Sequence, residues 1–142
     1  MPDIHHAIQV AAPAEAVVAL VSTAAGFQQW WAEDVTSDAD GRVSLGFFER
    51  ATVYRLRLLK RGSDGVSWRC ESGDEWHETE LVFSFNAEGA KTALDFLHAR
   101  WRAVTPYFVA CNTTWGELMF RLKAAAEGKS RGPLFLRDSQ SY

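Results

Sequence analysis

The chain has 142 residues, of which 47% are apolar and 23% charged, and its formal net charge is −3. The composition excludes a disordered chain. Because a typical domain has about 150 residues, the length of the chain predicts a single domain with its own core. Fifteen basic residues against eighteen acidic ones, with no basic run longer than Lys60-Arg61, argue against nucleic-acid binding through bulk charge.

The start of the chain predicts neither export nor membrane insertion. Its longest apolar run, residues 16–21, is far shorter than the roughly 20 residues of a membrane span, and Met1-Pro2-Asp3 lacks the basic start of a signal peptide. Cys70 and Cys111 form no C-x-x-C pair, so we expect buried free thiols. These features together predict a cytoplasmic protein.

The first part of the chain predicts a strand followed by two short helices. Residues 4–10 alternate loosely between apolar and polar types, and Pro13 ends the strand because proline has no N–H and suits a first helical turn. Apolar side chains at i, i+3 and i+4 predict a helix over 14–22, and the same spacing recurs after a break at Gly26. The side chains concerned are Val17, Leu20 and Val21, then Phe27, Trp30 and Trp31.

From residue 43 the apolar period changes to two, which predicts an antiparallel meander of five strands. Pro106 then begins a long helix with one broad apolar stripe, which ends at Gly128 and covers the apolar face of the sheet. The alternating strand residues are Val43, Leu45 and Phe47; Tyr54, Leu56 and Leu58; Val66, Trp68 and Cys70; Thr79, Leu81, Phe83 and Phe85; Thr92, Leu94, Phe96 and His98.

These elements predict an α+β domain over residues 1–128. Residues 129–142 form a polar C-terminal tail with one apolar patch, Leu134-Phe135-Leu136, which could dock on the domain or hang free. An exposed edge strand or this tail could also support a homodimer.

Several motifs, in this order, resemble the START/SRPBCC (Bet v-like, helix-grip) superfamily. The similarity covers residues 4 to 128, and the branch it resembles most is that of the activator of heat-shock-chaperone ATPase homologues, the Aha-like proteins. The motifs are Val10-Ala11-Ala12-Pro13, Trp30-Trp31, Gly41, Trp76-x-x-Thr79-x-Leu81-x-Phe83, Thr92-x-Leu94-x-Phe96-x-His98 and Trp115-x-x-Leu118-x-x-x-Leu122-Lys123.

The resemblance implies a helix-grip fold, in which a curved antiparallel sheet wraps around the long C-terminal helix. Most such families hold a hydrophobic small molecule or a lipid in the cavity between sheet and helix. The superfamily also includes polyketide cyclases and chaperone partners, so function has to be argued from the cavity.

An aromatic cavity with a few polar groups is the candidate ligand-binding site. Six Trp, nine Phe and three Tyr are more than a core of this size needs. Tyr54, Trp68 and His98 would supply the polar groups, although the same side chains could simply fill a core and satisfy each other. The candidate ligand-binding residues are Trp31, Phe47, Tyr54, Trp68, Phe83, Phe96, His98, Trp115 and Met119.

No residue pattern predicts catalysis, a metal site or a cofactor. His98 is the one candidate general acid or base, and it has no partner nearby in sequence. His5 and His6 point to opposite faces of a strand, and the two cysteines are far apart, so no zinc spacing exists.

Three hypotheses of function follow. The first is non-catalytic binding of a hydrophobic or aromatic small molecule or a lipid in the cavity. The second is a cyclase or dehydratase in which His98 and Tyr54 transfer protons. The third is a co-chaperone-like domain that binds a chaperone through an exposed apolar patch, at the helix tip or in the tail.

Overall fold

The computed structural model describes residues 1–140, so Ser141 and Tyr142, at the end of the predicted tail, lie outside the described residues. Within residues 1–140, seven strands and three helices form one α+β domain. In chain order the elements are β1 (Ile4–Val10), α1 (Ala14–Val21), α2 (Ala24–Phe27), β2 (Asp34–Ser37), β3 (Val43–Phe47), β4 (Thr52–Gly62), β5 (Gly65–Cys70), β6 (Glu80–Glu88), β7 (Lys91–Ala99) and α3 (Pro106–Ala126).

All seven strands belong to one antiparallel sheet with the order β1-β7-β6-β5-β4-β3-β2. The strands that flank the two short helices in sequence, β1 and β2, therefore lie at opposite edges. Alternate residues are buried along β6 and β7 and at Tyr54 and Leu56 of β4, because one face of the sheet packs against the helices and the other meets solvent. Leu58, which the sequence placed in the same alternating set of β4, is instead exposed, because the second half of this strand extends beyond the core. On β7 the buried set is Thr92, Leu94, Phe96 and His98.

Helix α3 lies along the buried face of the sheet and is fixed at both ends. Thr105 caps its start by accepting a hydrogen bond from the Phe108 backbone N–H (3.1 Å), and proline occupies the first helical turn. Near its end, Lys123 Nζ donates to the Gln9 carbonyl (2.5 Å), which ties the helix to β1. The stripe that α3 buries consists of Cys111, Trp115, Leu118, Met119 and Leu122.

The helix-grip fold predicted from the sequence is confirmed, with corrections near the second helix. Gly26 lies inside α2 and not at a break, because Thr23 caps this helix by accepting a hydrogen bond from the Gly26 N–H (2.9 Å). Trp30 and Trp31 follow in a turn, and the sequence did not predict β2, whose four residues are too few to show a period of two.

The described part of the tail docks on the domain. Phe135 is buried and forms an isolated parallel bridge with Ala32, close to the start of β2. The division between domain and tail at residue 128 stays a prediction. Within residues 1–140, no helix combines the length and the apolar character that a membrane span requires.

Two glycines give a matched test of how tightly the helices pack. A Cβ on Gly26 would overlap the Ala19 and Leu20 carbonyl oxygens of α1, whereas a Cβ on Gly116 of α3 would only reach His6 Cε1 at 3.6 Å. We expect Gly26→Ala to lower the free energy of unfolding by about 1–3 kcal/mol. We expect Gly116→Ala to raise it by up to about 1 kcal/mol, because alanine favours a helix. Urea denaturation of both variants checks this, and a stable Gly26→Ala protein would contradict the packing described.

Candidate functional site

A small, narrow cavity lies between α3 and the strands β3 and β4, in the position for which the resemblance implied a ligand. Its volume is about 20 Å³, which is room for about one water molecule. Seven of its nine lining residues are aromatic or aliphatic, and they come from both the sheet and α3. The lining consists of Trp31, Phe47, Tyr54, Trp76, Cys111, Thr114, Trp115, Leu118 and Phe135.

The cavity is small because aromatic rings fill most of the space around it. Trp31 and Trp115 lie with ring centroids 5.1 Å apart, and Tyr54 stacks on Trp76 at 3.9 Å. Phe135 meets the ring of Phe47 edge-on at 5.2 Å. Contacts of this kind add about 0.5–1.5 kcal/mol per pair beyond the area that they bury. The aromatic excess in the sequence is therefore used to narrow the site.

Tyr54 separates this narrow cavity from an open cleft of about 420 Å³. Its hydroxyl is hydrogen-bonded to that of Tyr107, which joins β4 to the first turn of α3. The same turn is held by Glu75, whose Oε1 accepts from the Thr105 hydroxyl (2.6 Å). The cleft is lined by Ala51, Thr52, Val53, Tyr54, Gly73, Asp74, Glu75 and Tyr107.

Trp76 brings a hydrogen-bond donor without a strong acceptor to the cavity. Among the buried side chains of residues 1–140, the indole nitrogens of Trp76 and Trp101 have no nitrogen or oxygen hydrogen-bond partner. Burial raises the pKa of the Cys111 thiol to about 11, although hydrogen bonds from the Trp76 and Tyr107 side chains to the sulfur partly oppose the rise. A thiol is a weak acceptor, so an occupant of the cavity that offers the Trp76 N–H a stronger acceptor would be favoured.

His98 is fully buried and uses both ring nitrogens within the core. The Trp115 indole N–H donates to Nδ1 (3.1 Å), and Nε2 lies 2.9 Å from the Thr79 hydroxyl oxygen, which itself donates to the Trp76 carbonyl (2.5 Å). An indole N–H only donates, so Nδ1 is the acceptor and the proton of the neutral ring is on Nε2. Burial lowers the pKa of His98 to about 3, and the ring stays neutral near pH 7.

The geometry gives no support to proton transfer by His98 and Tyr54. The Trp76 ring lies between them, stacked on Tyr54 and meeting the His98 ring at 4.5 Å. Both His98 nitrogens are already hydrogen-bonded to protein groups, and the Tyr54 hydroxyl is bonded to Tyr107. A ligand atom in hydrogen-bond reach of both groups would need to displace Trp76.

Four of the nine candidate residues line the cavity, namely Trp31, Phe47, Tyr54 and Trp115. The other five, Trp68, Phe83, Phe96, His98 and Met119, are buried elsewhere in the core. The Trp68 indole N–H, for example, donates to the Val21 carbonyl at the end of α1 (2.8 Å) and supports that helix. Ligand binding by these nine residues stays a prediction.

The sequence did not indicate that two of the most important residues, Trp76 and Phe135, line the cavity. Trp76 lies in a turn between β5 and β6, outside any periodic segment, and only its place in a family motif marked it. Phe135 lies in the tail, where the run Leu134-Phe135-Leu136 indicated an apolar patch but no docking site. Cys111 and Leu118 belonged to the predicted apolar stripe of α3, which pointed to the core in general.

Comparison with solved structures supports the same fold. The solution structure of the Aha1 dimer from Colwellia psychrerythraea is 24% identical with a TM-score of 0.79, covering 91% of this chain and 98% of that one. A START superfamily protein from Mycobacterium smegmatis is 21% identical with a TM-score of 0.62, covering 89% and 95%. A Bacillus halodurans protein is 18% identical with a TM-score of 0.69, covering 89% and 98%. No protein-family model and no curated protein matches the sequence.

The chain thus has the same helix-grip fold as these solved structures, as the resemblance implied. Aha1 from Colwellia psychrerythraea is one of the proteins that share it over nearly their whole length. Structural similarity at such low sequence identity establishes the fold alone. The activity has to be inferred from the chemistry of the cavity.

The neutral His98 predicts a loss of stability in mild acid. The unfolded chain binds a proton near the ordinary pKa of 6.5, whereas the folded chain binds it only near 3. Stability therefore falls as the pH drops through this window, by about 2 kcal/mol between pH 7 and 5. Urea unfolding at pH 7 and pH 5 measures this loss in the wild-type protein and in His98→Gln. The His98→Gln variant should lack the fall in the free energy of unfolding that comes from His98. The exposed control His77→Gln should keep it, and equal slopes in both variants would contradict a neutral buried His98.

Proposed function

We propose that the protein binds a small aromatic molecule with a hydrogen-bond acceptor, in the cavity between the sheet and α3, and catalyses no reaction on it. The observation that carries this proposal is the buried Trp76 N–H without a strong acceptor, in a residue that lines a mainly aromatic cavity. An aromatic ligand would pack against those rings, and its acceptor atom would satisfy the indole N–H. The aromatic lining favours this class of ligand over a lipid chain.

Binding requires the narrow cavity to enlarge. Its volume of about 20 Å³ is far below the roughly 300–1,000 Å³ of small-molecule sites. The cleft on the other side of Tyr54 has about 420 Å³, and moving the Tyr54 ring would join the two spaces. Moving the ring breaks the Tyr54–Tyr107 hydrogen bond and the stacking on Trp76, at about 0.5–1.5 kcal/mol each, which ligand burial can offset.

Two tryptophans give a matched test of this binding mode. We expect Trp76→Phe to weaken binding of 2-naphthol by about 2- to 12-fold, because one hydrogen bond of about 0.5–1.5 kcal/mol is lost. Binding of naphthalene, which has no acceptor oxygen, should not weaken in this way. Trp101→Phe removes the other buried indole N–H without a strong acceptor, which does not line the cavity, and should leave 2-naphthol binding unchanged.

Titrations followed by NMR through the indole N–H signals measure these affinities directly. The wild-type signal of Trp76 should shift with 2-naphthol, and that of Trp101 should shift less. Equal effects of the two variants, or no saturable binding of 2-naphthol to the wild-type protein, would overturn the proposed function.

A second candidate function is binding of a protein partner through the outer face of α3. Val109 and Phe120 are 55% and 61% exposed, and they lie about three helical turns apart on one face, with the small Gly116 between them. Large exposed apolar side chains on one helix face are typical of an interaction surface. The Colwellia psychrerythraea structure is that of a dimer, so we take a second copy of the chain as the partner to test first.

We expect Phe120→Ser to weaken self-association, because it replaces the largest apolar side chain of the proposed contact with a hydroxyl. Leu59→Ser is the control, since Leu59 is 41% exposed on β4, away from α3. Sedimentation velocity over a range of concentrations checks both variants. A wild-type protein that stays monomeric, or a dimer that Phe120→Ser leaves intact, would contradict an interface on this face.

A further inference from the structure

The docked tail places one buried side chain in the cavity wall. Between Gly128 and Gln140 only Phe135 is buried, with 4% of its surface exposed, whereas the next residue, Leu136, is 49% exposed. Phe135 lines the same cavity as Trp76 and Trp115. The tail therefore contributes a single aromatic group to a site that the rest of the domain builds.

Backbone hydrogen bonds hold this segment like an added peptide. The Leu134 and Phe135 N–H groups donate to the carbonyls of Trp30 (3.2 Å) and Trp31 (3.1 Å). The Glu33 N–H donates in return to the Phe135 carbonyl (2.8 Å). Short strand pairing with one anchoring side chain is the arrangement by which domains bind extended peptides.

Apart from Leu134, which packs partly buried against the core, the remaining contacts of the tail are mainly polar. Arg121 on α3 reaches the carbonyl of Gly132 with Nη1 (3.1 Å), and the Arg137 backbone N–H donates to Glu33 Oε1 (2.8 Å). Arg137 Nη1 also lies 3.4 Å from Asp34 Oδ1. Exposed contacts of this type add little stability, so the segment can open at much less than the cost of global unfolding.

A strained turn lies against Phe135. Three successive residues have positive φ values: Phe48 (57°), Glu49 (56°) and Arg50 (66°). Residues other than glycine rarely adopt this conformation in succession. The Phe48 ring meets that of Phe135 edge-on at 6.2 Å, and Arg50 Nη1 shares Asp34 with Arg137 (2.7 Å). Strain of this kind gathers at ligand clamps and switch segments.

We propose that residues 134–136 are a displaceable plug, and that a small phenol takes the place of the Phe135 side chain. This inference rests on the proposed function and specifies its ligand class and its regulation. The ring of the phenol would occupy the position of the Phe135 ring against Phe47. Its oxygen would fill the water-sized space on the side of the Trp76 N–H. Tail docking and ligand binding then compete for one site, so each lowers the affinity of the other by the same factor.

The test compares 4-methylphenol binding to the full-length wild-type chain, Phe135→Ala and Leu136→Ala. Phe135→Ala should bind at least tenfold more tightly, because the competing ring is gone and its space is empty. Leu136→Ala is the matched control and should bind within about twofold of the wild type, since Leu136 points to solvent. Toluene, which lacks the oxygen, should bind the Phe135→Ala protein more weakly than 4-methylphenol does.

A second measurement needs no variant and covers the case in which Phe135→Ala does not fold. Hydrogen exchange of the Leu134 and Phe135 amides in the wild-type chain should speed up at saturating 4-methylphenol, because their partners Trp30 and Trp31 are released. Amides in β6 and β7 should keep their protection and serve as the internal control.

The outcomes separate this inference from the proposed function. If 4-methylphenol binds while the tail amides stay protected and Phe135→Ala gains no affinity, the plug is overturned and ligand binding stands. If 4-methylphenol fails to bind any of the three proteins while 2-naphthol binds, the phenol-for-Phe135 exchange is overturned and the proposed function stands. If neither compound binds, both are overturned.

Discussion

The hydrogen bond from the Trp115 indole to His98 is the contact on which the packing of α3 against the sheet depends. It joins the middle of the helix to β7 in a region where most neighbours are aromatic rings, so a lost partner would leave a buried polar group unsatisfied. It requires the neutral form of His98, whose other nitrogen is bonded to Thr79. It also fixes the Trp115 ring, which packs on Trp31 and Phe96 and thereby sets the cavity wall.

The same packing explains why the site is narrow. Rings from the turn after α2, from β3 and β4 and from α3 fill the space that the helix-grip fold leaves between sheet and helix, and Phe135 fills the remaining gap. What is left is a water-sized space beside an indole N–H without a strong acceptor. Function in this account depends on which of these groups moves. We expect the tail to move, because only one of its described side chains is buried. Trp31 and Trp115, in contrast, each pack against several other aromatic rings.

Most of the fold could be predicted from the sequence, because strands with one buried face alternate in polarity and α3 shows a helical stripe. The family motifs added the helix-grip arrangement. The missed strand β2 has only four residues. The partners of His98 lie 19 and 17 residues away, and nothing in the local pattern connects them. Trp76 in a turn and Phe135 in the tail became site residues through tertiary contacts, which a periodic pattern does not encode.

A crystal structure of the full-length protein with 2-naphthol is the most direct test of ligand binding between the sheet and α3. We expect the naphthol rings in this position, with the oxygen within hydrogen-bond distance of Trp76 Nε1. We also expect that Phe135 or Tyr54 has moved from its present position to make room. Naphthol bound only in the open cleft or on the outer face of α3, with the aromatic cavity unchanged, would contradict ligand binding between the sheet and α3.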